Sequence, residues 1–562
     1  MDTGNLLTTQ DRILKIRVTR AIPPIWLVLI AGAVALLPAM IYGIPANNDL
    51  INHFRFALPF YDALQHGNLQ PGWLAESNFG YGDTSFRFYP PGLYYLLTTA
   101  RAITGNWYIA TMSVLVVLSL AGSLGVYLWA REFLPGDLAM WASVFYCIAP
   151  YHLNQLYQAF LLAEYAGAAV LPFAFLFVAR VCRRSSLSDI AGLSISYAAL
   201  ILTHVPLTVI GSVALFVYAL TCLQKNKRWS TIFRLSTAVA LGLSASSYYW
   251  VTMVAELKWI KAYDSQSVEY FQNFLFISLS PNNLNVWWMN IVLIATLAMF
   301  WPAFVLLRKW RGKEPEDRAL KGVALLMFFS IFIATPLSWP LWKVISPLQQ
   351  VQFPWRWLAV TSISLSVMLA AAVPFWTKLA QGRKRFLALI AAGSFAISLA
   401  FSLSHTVREA QYLNTNAFES TLRSIPGTQG VWQWWPVWVQ APFKRMTAAV
   451  DTGDRTLIVE SWEPEKRVFR ISAGASGEMR VRTFFYPHWT ATANGASLPL
   501  RPDANGVLLM TVPADEVNVT LEFKEPSRVT LAIVLSLIGW TLIAGLMLFA
   551  LRKRIWHTLH VR

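Results

Sequence analysis

The sequence predicts a polytopic α-helical membrane protein of about twelve transmembrane helices, with a small extracytoplasmic β-rich domain before the last helix. Three observations predict it. The 562 residues are 56% hydrophobic and only 13% charged, too apolar for a soluble globular protein. Apolar runs of roughly 18 or more residues recur, and each is long enough to cross a bilayer. Between positions 405 and 527 the pattern changes to short alternating runs separated by turn residues.

The spans are expected at about 24–43, 109–129, 137–150, 163–181, 187–204, 206–222, 232–251, 287–307, 321–338, 357–376, 386–404 and 529–551. Arg12, Lys15, Arg17 and Arg20 precede the first run, which lacks a small-residue cleavage site and reads as a retained span. With that end in the cytoplasm, every later basic cluster falls on the same side. These are Arg180/Arg183/Arg184, Lys225/Lys227/Arg228, Arg308/Lys309/Arg311/Lys313, Arg383/Lys384/Arg385 and Arg552/Lys553/Arg554. Both termini are then cytoplasmic. The net charge of +17 is thus read as membrane topology and not as nucleic-acid binding. The 25 Trp and 20 Tyr suit interfacial belts.

Four shorter segments remain outside: about 44–108, the stretch around Tyr151 to Gln155, about 252–286, and Trp342 to Trp357. A larger one follows. The runs Thr456–Glu460, Arg467–Ser472, Glu478–Phe485, Val507–Val512 and Val517–Phe523 alternate like strands. Asn494-Gly495 and Asp503-Ala504-Asn505-Gly506 mark turns between such runs. The expected organisation is a membrane domain over 1–404, a β-rich domain over 405–527, and a final helix with its tail over 528–562.

Motif absences narrow the chemistry. There is no Walker A run, HExxH, GxSxG or Rossmann glycine pattern. Cys147, Cys182 and Cys222 have no metal-ligand spacing and imply no disulfide framework. Ionisable residues are sparse near the midpoints of the spans, where ion-coupled transporters keep them.

Polar candidates concentrate in the outer segments. Asp49 follows the first span, as a catalytic carboxylate or as a helix cap, and His53 lies four residues on. Glu164 opens a span, as a functional acid facing a polar cavity or as an interfacial one. His204 precedes Pro206 at a helix break, where it either donates to a phosphate or caps a carbonyl at a tight helical hairpin. Arg356 sits between Trp355 and Trp357, after Gln352, as a planar phosphate ligand or an interface anchor. Asp83, Arg87 and Tyr89, before Pro90-Pro91, are candidates to line a sugar site, as are Tyr151 and His152.

These residues carry a resemblance. Asn48-Asp49 with His53, Phe79-Gly80-Tyr81-Gly82, Phe88-Tyr89-Pro90-Pro91, Pro150-Tyr151-His152, Glu164, Thr203-His204 and Gln352-Phe353-Pro354-Trp355-Arg356-Trp357 resemble a bacterial membrane family labelled 6-pyruvoyl-tetrahydropterin synthase-related. The zinc-binding histidine set of the soluble synthase is not found here. The membrane family resembles the GT-C superfamily. Phe484-Phe485-Tyr486-Pro487-His488-Trp489 and the following β-rich run are similar to the end of YfhO-like membrane glycosyltransferases.

The resemblance implies a GT-C-like fold in a bacterial inner membrane, with the β-domain periplasmic or extracellular. It implies sugar transfer from a polyprenyl-phosphate-linked donor to a lipid-linked glycan or polysaccharide acceptor, among membrane lipids. Asp49 would be the catalytic acid residue, joined by Glu164. Arg356 and His204 would face the lipid phosphate, while His53, Tyr89 and His152 orient the sugar. Some members add a divalent metal, Mg or Mn, but no Asp-x-Asp pair occurs in the first two outer loops. A lipid or polysaccharide transporter and a non-catalytic envelope assembly factor are the alternatives.

Overall fold

The computed structural model describes residues 23–560 except 48, 185, 262–269, 278–289, 293, 295–314, 383–384 and 442–444. Helices cover eleven of the twelve predicted spans, and most of 287–307 lies outside the described residues. So do the basic clusters at 12–20 and 308–313. Among the described residues five helices are long and apolar enough to cross a membrane: Trp107–Ala130, Leu162–Arg183, Val205–Cys222, Pro354–Lys378 and Ser527–Lys553.

Two predicted straight spans are bent. Lys225–Ala245 and Ser247–Trp259 meet at 76°, and Arg318–Ile333 and Pro336–Val344 meet at 89°. In the second pair Pro336 has no N–H to continue the ladder and disfavours helix at Thr335. In the first, Ser246 Oγ turns back to the Gly242 carbonyl at 2.8 Å, a local bond that bends helices. The last helix seats against that bend. Ser247 Oγ donates to Ala532 O at 2.8 Å and Ser244 Oγ to Leu535 O at 2.9 Å. Gly539 lets the two backbones approach, since a methyl there would lie 2.6 Å from Ala245 N.

Leu162–Arg183 is the central helix and packs against Trp107–Ala130, Leu187–Thr203 and Val205–Cys222. A two-stranded clamp ties the chain after the first span to the chain after helix Arg385–Glu409. In it β1 (Ile44–Pro45) pairs antiparallel with β2 (Tyr412–Leu413). Gly43 enters the clamp at φ 117°, and a side chain there would collide with the Leu413 carbonyl.

The C-terminal region folds as two antiparallel sheets. Its strands are β3 (Val450–Asp451), β4 (Leu457–Trp462), β5 (Lys466–Ile471), β6 (Gly477–Phe484), β7 (Trp489–Ala493), β8 (Ala496–Leu498), β9 (Leu500–Pro502), β10 (Val507–Val512) and β11 (Val517–Phe523). One sheet has the order β3-β6-β10-β9, the other β4-β5-β11-β7-β8. The alternating runs therefore become strands with one buried face, as in Val517, Val519, Leu521 and Phe523. Asn494 and Gly495 turn the β7–β8 hairpin with φ of 48° and 85°. Trp73 and Tyr81, from the first polar loop, belong to the core of this β region.

Glu256 fastens the β region to the helices. Its fully buried carboxylate accepts from Arg87 Nε and Nη2 at 2.5 and 2.7 Å, Tyr486 Oη at 2.7 Å and Arg528 Nη2 at 2.7 Å. His488 Nε2 lies 2.9 Å away. One carboxylate thus joins the first loop, a bent helix, the chain before β7 and the start of the last helix.

Candidate active site

A cavity of about 480 Å³ opens where the first loop, the ends of several helices and the segment before the β region converge. Asp49, His53, Tyr89, Glu164, His204, Gln352 and Arg356 line it. Asp49 and Arg356, 307 positions apart in sequence, thereby share one chamber. Leu161, Val205, Pro206, Val209, Met253, Leu257 and Pro347 supply an apolar wall.

Asp49 stands at the N-terminus of helix Leu50–Gln65, but its side chain makes no capping hydrogen bond. The carboxylate is left for the cavity. Burial pushes its pKa above the ordinary value, while the Arg356 charge and a hydrogen bond from Asn52 pull it back. Asn52 is oriented in turn: its Oδ1 accepts from Arg55 Nη1 at 2.8 Å. A carboxyl group whose proton affinity is raised by burial suits a proton acceptor.

Arg356 is held from two directions. Nη1 donates to Val351 O at 2.9 Å, and Nε lies 3.0 Å from Glu164 Oε2. Glu164 is itself oriented by Tyr151 Oη at 2.6 Å and Gln155 Nε2 at 2.9 Å. The guanidinium keeps unused donors for an anion, the planar geometry that phosphate recognition uses. Gln352, beside the anchored Val351, has φ 66°, an uncommon conformation for a residue with a side chain.

His204 caps helix Val205–Cys222: its Nδ1 accepts from Leu207 N at 3.2 Å. The ring thus accepts from a backbone N–H and does not cap a carbonyl, which leaves Nε2 as the protonated nitrogen of the neutral ring. A neutral N–H donor at the cavity remains compatible with phosphate contact. His53 lies 3.4 Å from Tyr94 Oη through Nδ1, and burial pushes its ring down to about 3, so it is neutral.

Four expected site residues do not reach the cavity. Arg87 is consumed by Glu256 and Glu525. Asp83 is fully buried and bonded by Ser77, Asn78 and Ser85, where it knits a turn. Tyr151 acts through Glu164. His152 lies between the rings of Tyr146 and Tyr165, at 4.2 and 4.9 Å between centroids. Arg87 is claimed by partners far away in sequence, whereas Asp83, Tyr151 and His152 are taken up by residues close by in the chain.

Other cavity residues escaped the sequence reading: Asn52, Gln350, Gln433 and Trp434. Asn52 follows Asp49 by one helical turn, and the Trp-rich run Val431 to Trp438 stands out in a polar region. Those two signals could have found them. Among the described residues no group of three or more His, Cys, Asp or Glu side chains could hold a metal ion.

The fold and site define a helical membrane protein with a β-rich C-terminal region and a polar cavity between the two. Residues 86–413 match the model of the 6-pyruvoyl-tetrahydropterin synthase related domain, described as a membrane protein, and the chain belongs to this family. No curated protein matches the chain. Among solved structures, the mycobacterial arabinofuranosyltransferase AftD aligns at 17% identity and TM-score 0.45. That alignment covers 72% of this chain and 27% of AftD, so the chain spans about a quarter of AftD's length. ArnT from Cupriavidus metallidurans, bound to undecaprenyl phosphate, aligns at 12% identity and TM-score 0.41, covering 72% and 74%. The Archaeoglobus fulgidus oligosaccharyltransferase AglB, with an inhibitory peptide and a dolichol-phosphate, aligns at 13% and 0.41, covering 70% and 56%.

Proposed function

We propose that this protein is a membrane glycosyltransferase of the GT-C kind, acting at the extracytoplasmic face of a bacterial inner membrane. The observation that carries the reading is the single cavity that joins Asp49, Arg356 and an apolar wall. Such a chamber suits a donor with an apolar lipid, a phosphate and a sugar in sequence. The donor is a polyprenyl-phosphate sugar, and the acceptor is a lipid-linked glycan or polysaccharide.

The step balances as an inverting displacement. Asp49 takes the proton from an acceptor hydroxyl. The acceptor oxygen forms a bond to the anomeric carbon as the bond from that carbon to the phosphate oxygen breaks. The polyprenyl phosphate leaves with the electron pair, and Arg356 and His204 Nε2–H meet the charge as it develops. Glu164 holds Arg356 and takes no proton. The Asp49 proton is then lost to water.

The test is sugar transfer by the purified protein in lipid, wild type against Asp49→Asn, with a panel of radiolabelled polyprenyl-phosphate sugars and an envelope lipid extract. Transfer that needs Asp49 and persists in EDTA is expected. Full activity in folded Asp49→Asn protein would sink the role of Asp49. Lipid or glycan moving across proteoliposomes without donor consumption would replace the enzyme with a transporter.

A further inference from the structure

The family match ends at residue 413, yet Val431, Gln433 and Trp434 line the same cavity as Asp49. The indole of Trp434 lies parallel to Phe88 at 6.1 Å and 4°, and Tyr89 meets it edge-on at 6.4 Å. The segment that carries it is fixed before any ligand arrives. Gly430 N donates to Asn78 Oδ1 at 2.8 Å, and Asn78 Nδ2 donates to the buried Asp83 at 3.0 Å. Gly430 is required there, because a side chain would collide with Ser77 Oγ. Arg55 Nη2 reaches Thr428 Oγ1 at 3.3 Å. The Asp83 turn therefore serves the cavity at one remove, by holding 428–434 against it.

The polar groups beside this platform have a distinct character. The carboxamides of Gln350, Gln352 and Gln433 line the cavity and make no side-chain hydrogen bond to any described residue. A carboxamide offers both donors and acceptors. A phosphate takes donors only, and that demand is met by Arg356. A sugar hydroxyl both donates and accepts, and a pyranose presents a C–H face to an aromatic ring. Aromatic walls with a few convergent polar groups are the usual build of a small-ligand site.

We infer that Gln433 and Trp434 form the subsite for an uncharged sugar ring of the acceptor. Trp434 stacks on the apolar face of that ring, and Gln433 bridges two of its hydroxyls. The acceptor role rests on the glycosyl-transfer reading, which puts the reacting hydroxyl beside Asp49. The chemical class, a neutral hydroxylated ring, rests on the carboxamides and the indole alone.

The experiment uses the full chain in lipid nanodiscs, without turnover. Saturation-transfer NMR would read binding of methyl glycosides of neutral hexoses and pentoses, with undecaprenyl phosphate binding measured in parallel. Wild type would be compared with Gln433→Ala, Trp434→Ala and Trp434→Phe. Roughly tenfold weaker glycoside binding is expected for the two Ala variants, the loss of about 1.4 kcal/mol of contact. Trp434→Phe would recover part of it, and undecaprenyl phosphate binding would hold throughout.

Glycoside binding that is absent in wild type or indifferent to both Ala substitutions would overturn the subsite. So would an equal loss of undecaprenyl phosphate binding, which would make Trp434 a packing residue. The two readings fail separately. Glycoside binding that needs Trp434 in a protein without transfer activity would keep the subsite and remove the enzyme. Transfer whose acceptor KM ignores both Ala substitutions would do the reverse.

Discussion

Substituting Glu256 by Ala should loosen the β region from the helices. Arg87 and Glu256 are both almost wholly excluded from solvent, and Tyr486 and His488 are buried beside them. Removing one partner of a buried ion pair typically costs about 3–5 kcal/mol, because the remaining charge stays desolvated. Here Arg87 keeps Glu525 through Nη1, and Arg528 is partly exposed and can rehydrate. Those two facts place the expected cost near the lower end, about 3 kcal/mol. Most of that cost is the penalty on Arg87 and on the orphaned Tyr486 hydroxyl. Hydrogen exchange of residues 484–489 and 525–530 is the assay, since local opening should rise before global unfolding. The Arg87→Met/Glu256→Leu double substitution should recover most of the protection, as an apolar pair replaces an ionic one. Protection unchanged within about 1 kcal/mol in Glu256→Ala would refute the reasoning. A double substitution that is worse than the single would do so too.

Three further outcomes are expected. Arg356→Gln should lower kcat by roughly 10²- to 10³-fold, the usual cost of losing one transition-state charge contact. It should also move the acid limb of the pH–rate profile to higher pH. Asp49 works as the carboxylate, so activity is lost as pH falls through its raised pKa, and Arg356 is the charge now pulling that pKa down. Arg467→Met should be neutral or stabilising by about 1–4 kcal/mol in thermal unfolding. The Arg467 guanidinium is fully buried between Trp462 and Trp489, with no hydrogen-bond partner among the described residues for Nε, Nη1 or Nη2. Gly43→Ala should cost about 1–3 kcal/mol, read as a lower melting temperature, because the positive φ and the Leu413 carbonyl both exclude a side chain.

Much of the β region was legible because a half-buried strand writes its burial in every second residue. The predicted runs at 456–460, 467–472, 478–485, 507–512 and 517–523 coincide with β4, β5, β6, β10 and β11 to within a residue or two. β3, β8 and β9 were not found, since strands of two or three residues carry too little alternation to show. β7, with the small Ala491 and Ala493 on its buried face, was missed as well. The spans were legible as apolar runs, but their bends were not. Those depend on a serine hydroxyl and a proline acting on a helix that hydropathy alone would continue.

The candidate site divides in the same way. The sequence by itself determined that the protein is helical and apolar enough for a membrane, that a β-patterned region precedes the last helix, and that polar residues gather in the segments between. It could mark Asp49, Glu164, His204 and Arg356 as candidates, because an ionisable group beside an apolar run costs free energy unless it has a use. Only the tertiary structure decided which polar groups are free. Arg87 and Arg356 read alike in sequence, each a cation beside aromatic residues. One is saturated by Glu256 and Glu525, while the other, held by Glu164 and Val351, still has donors facing a cavity. Hydrogen-bonding capacity is local to a side chain, but its satisfaction depends on partners hundreds of residues away, and folding alone brings those together.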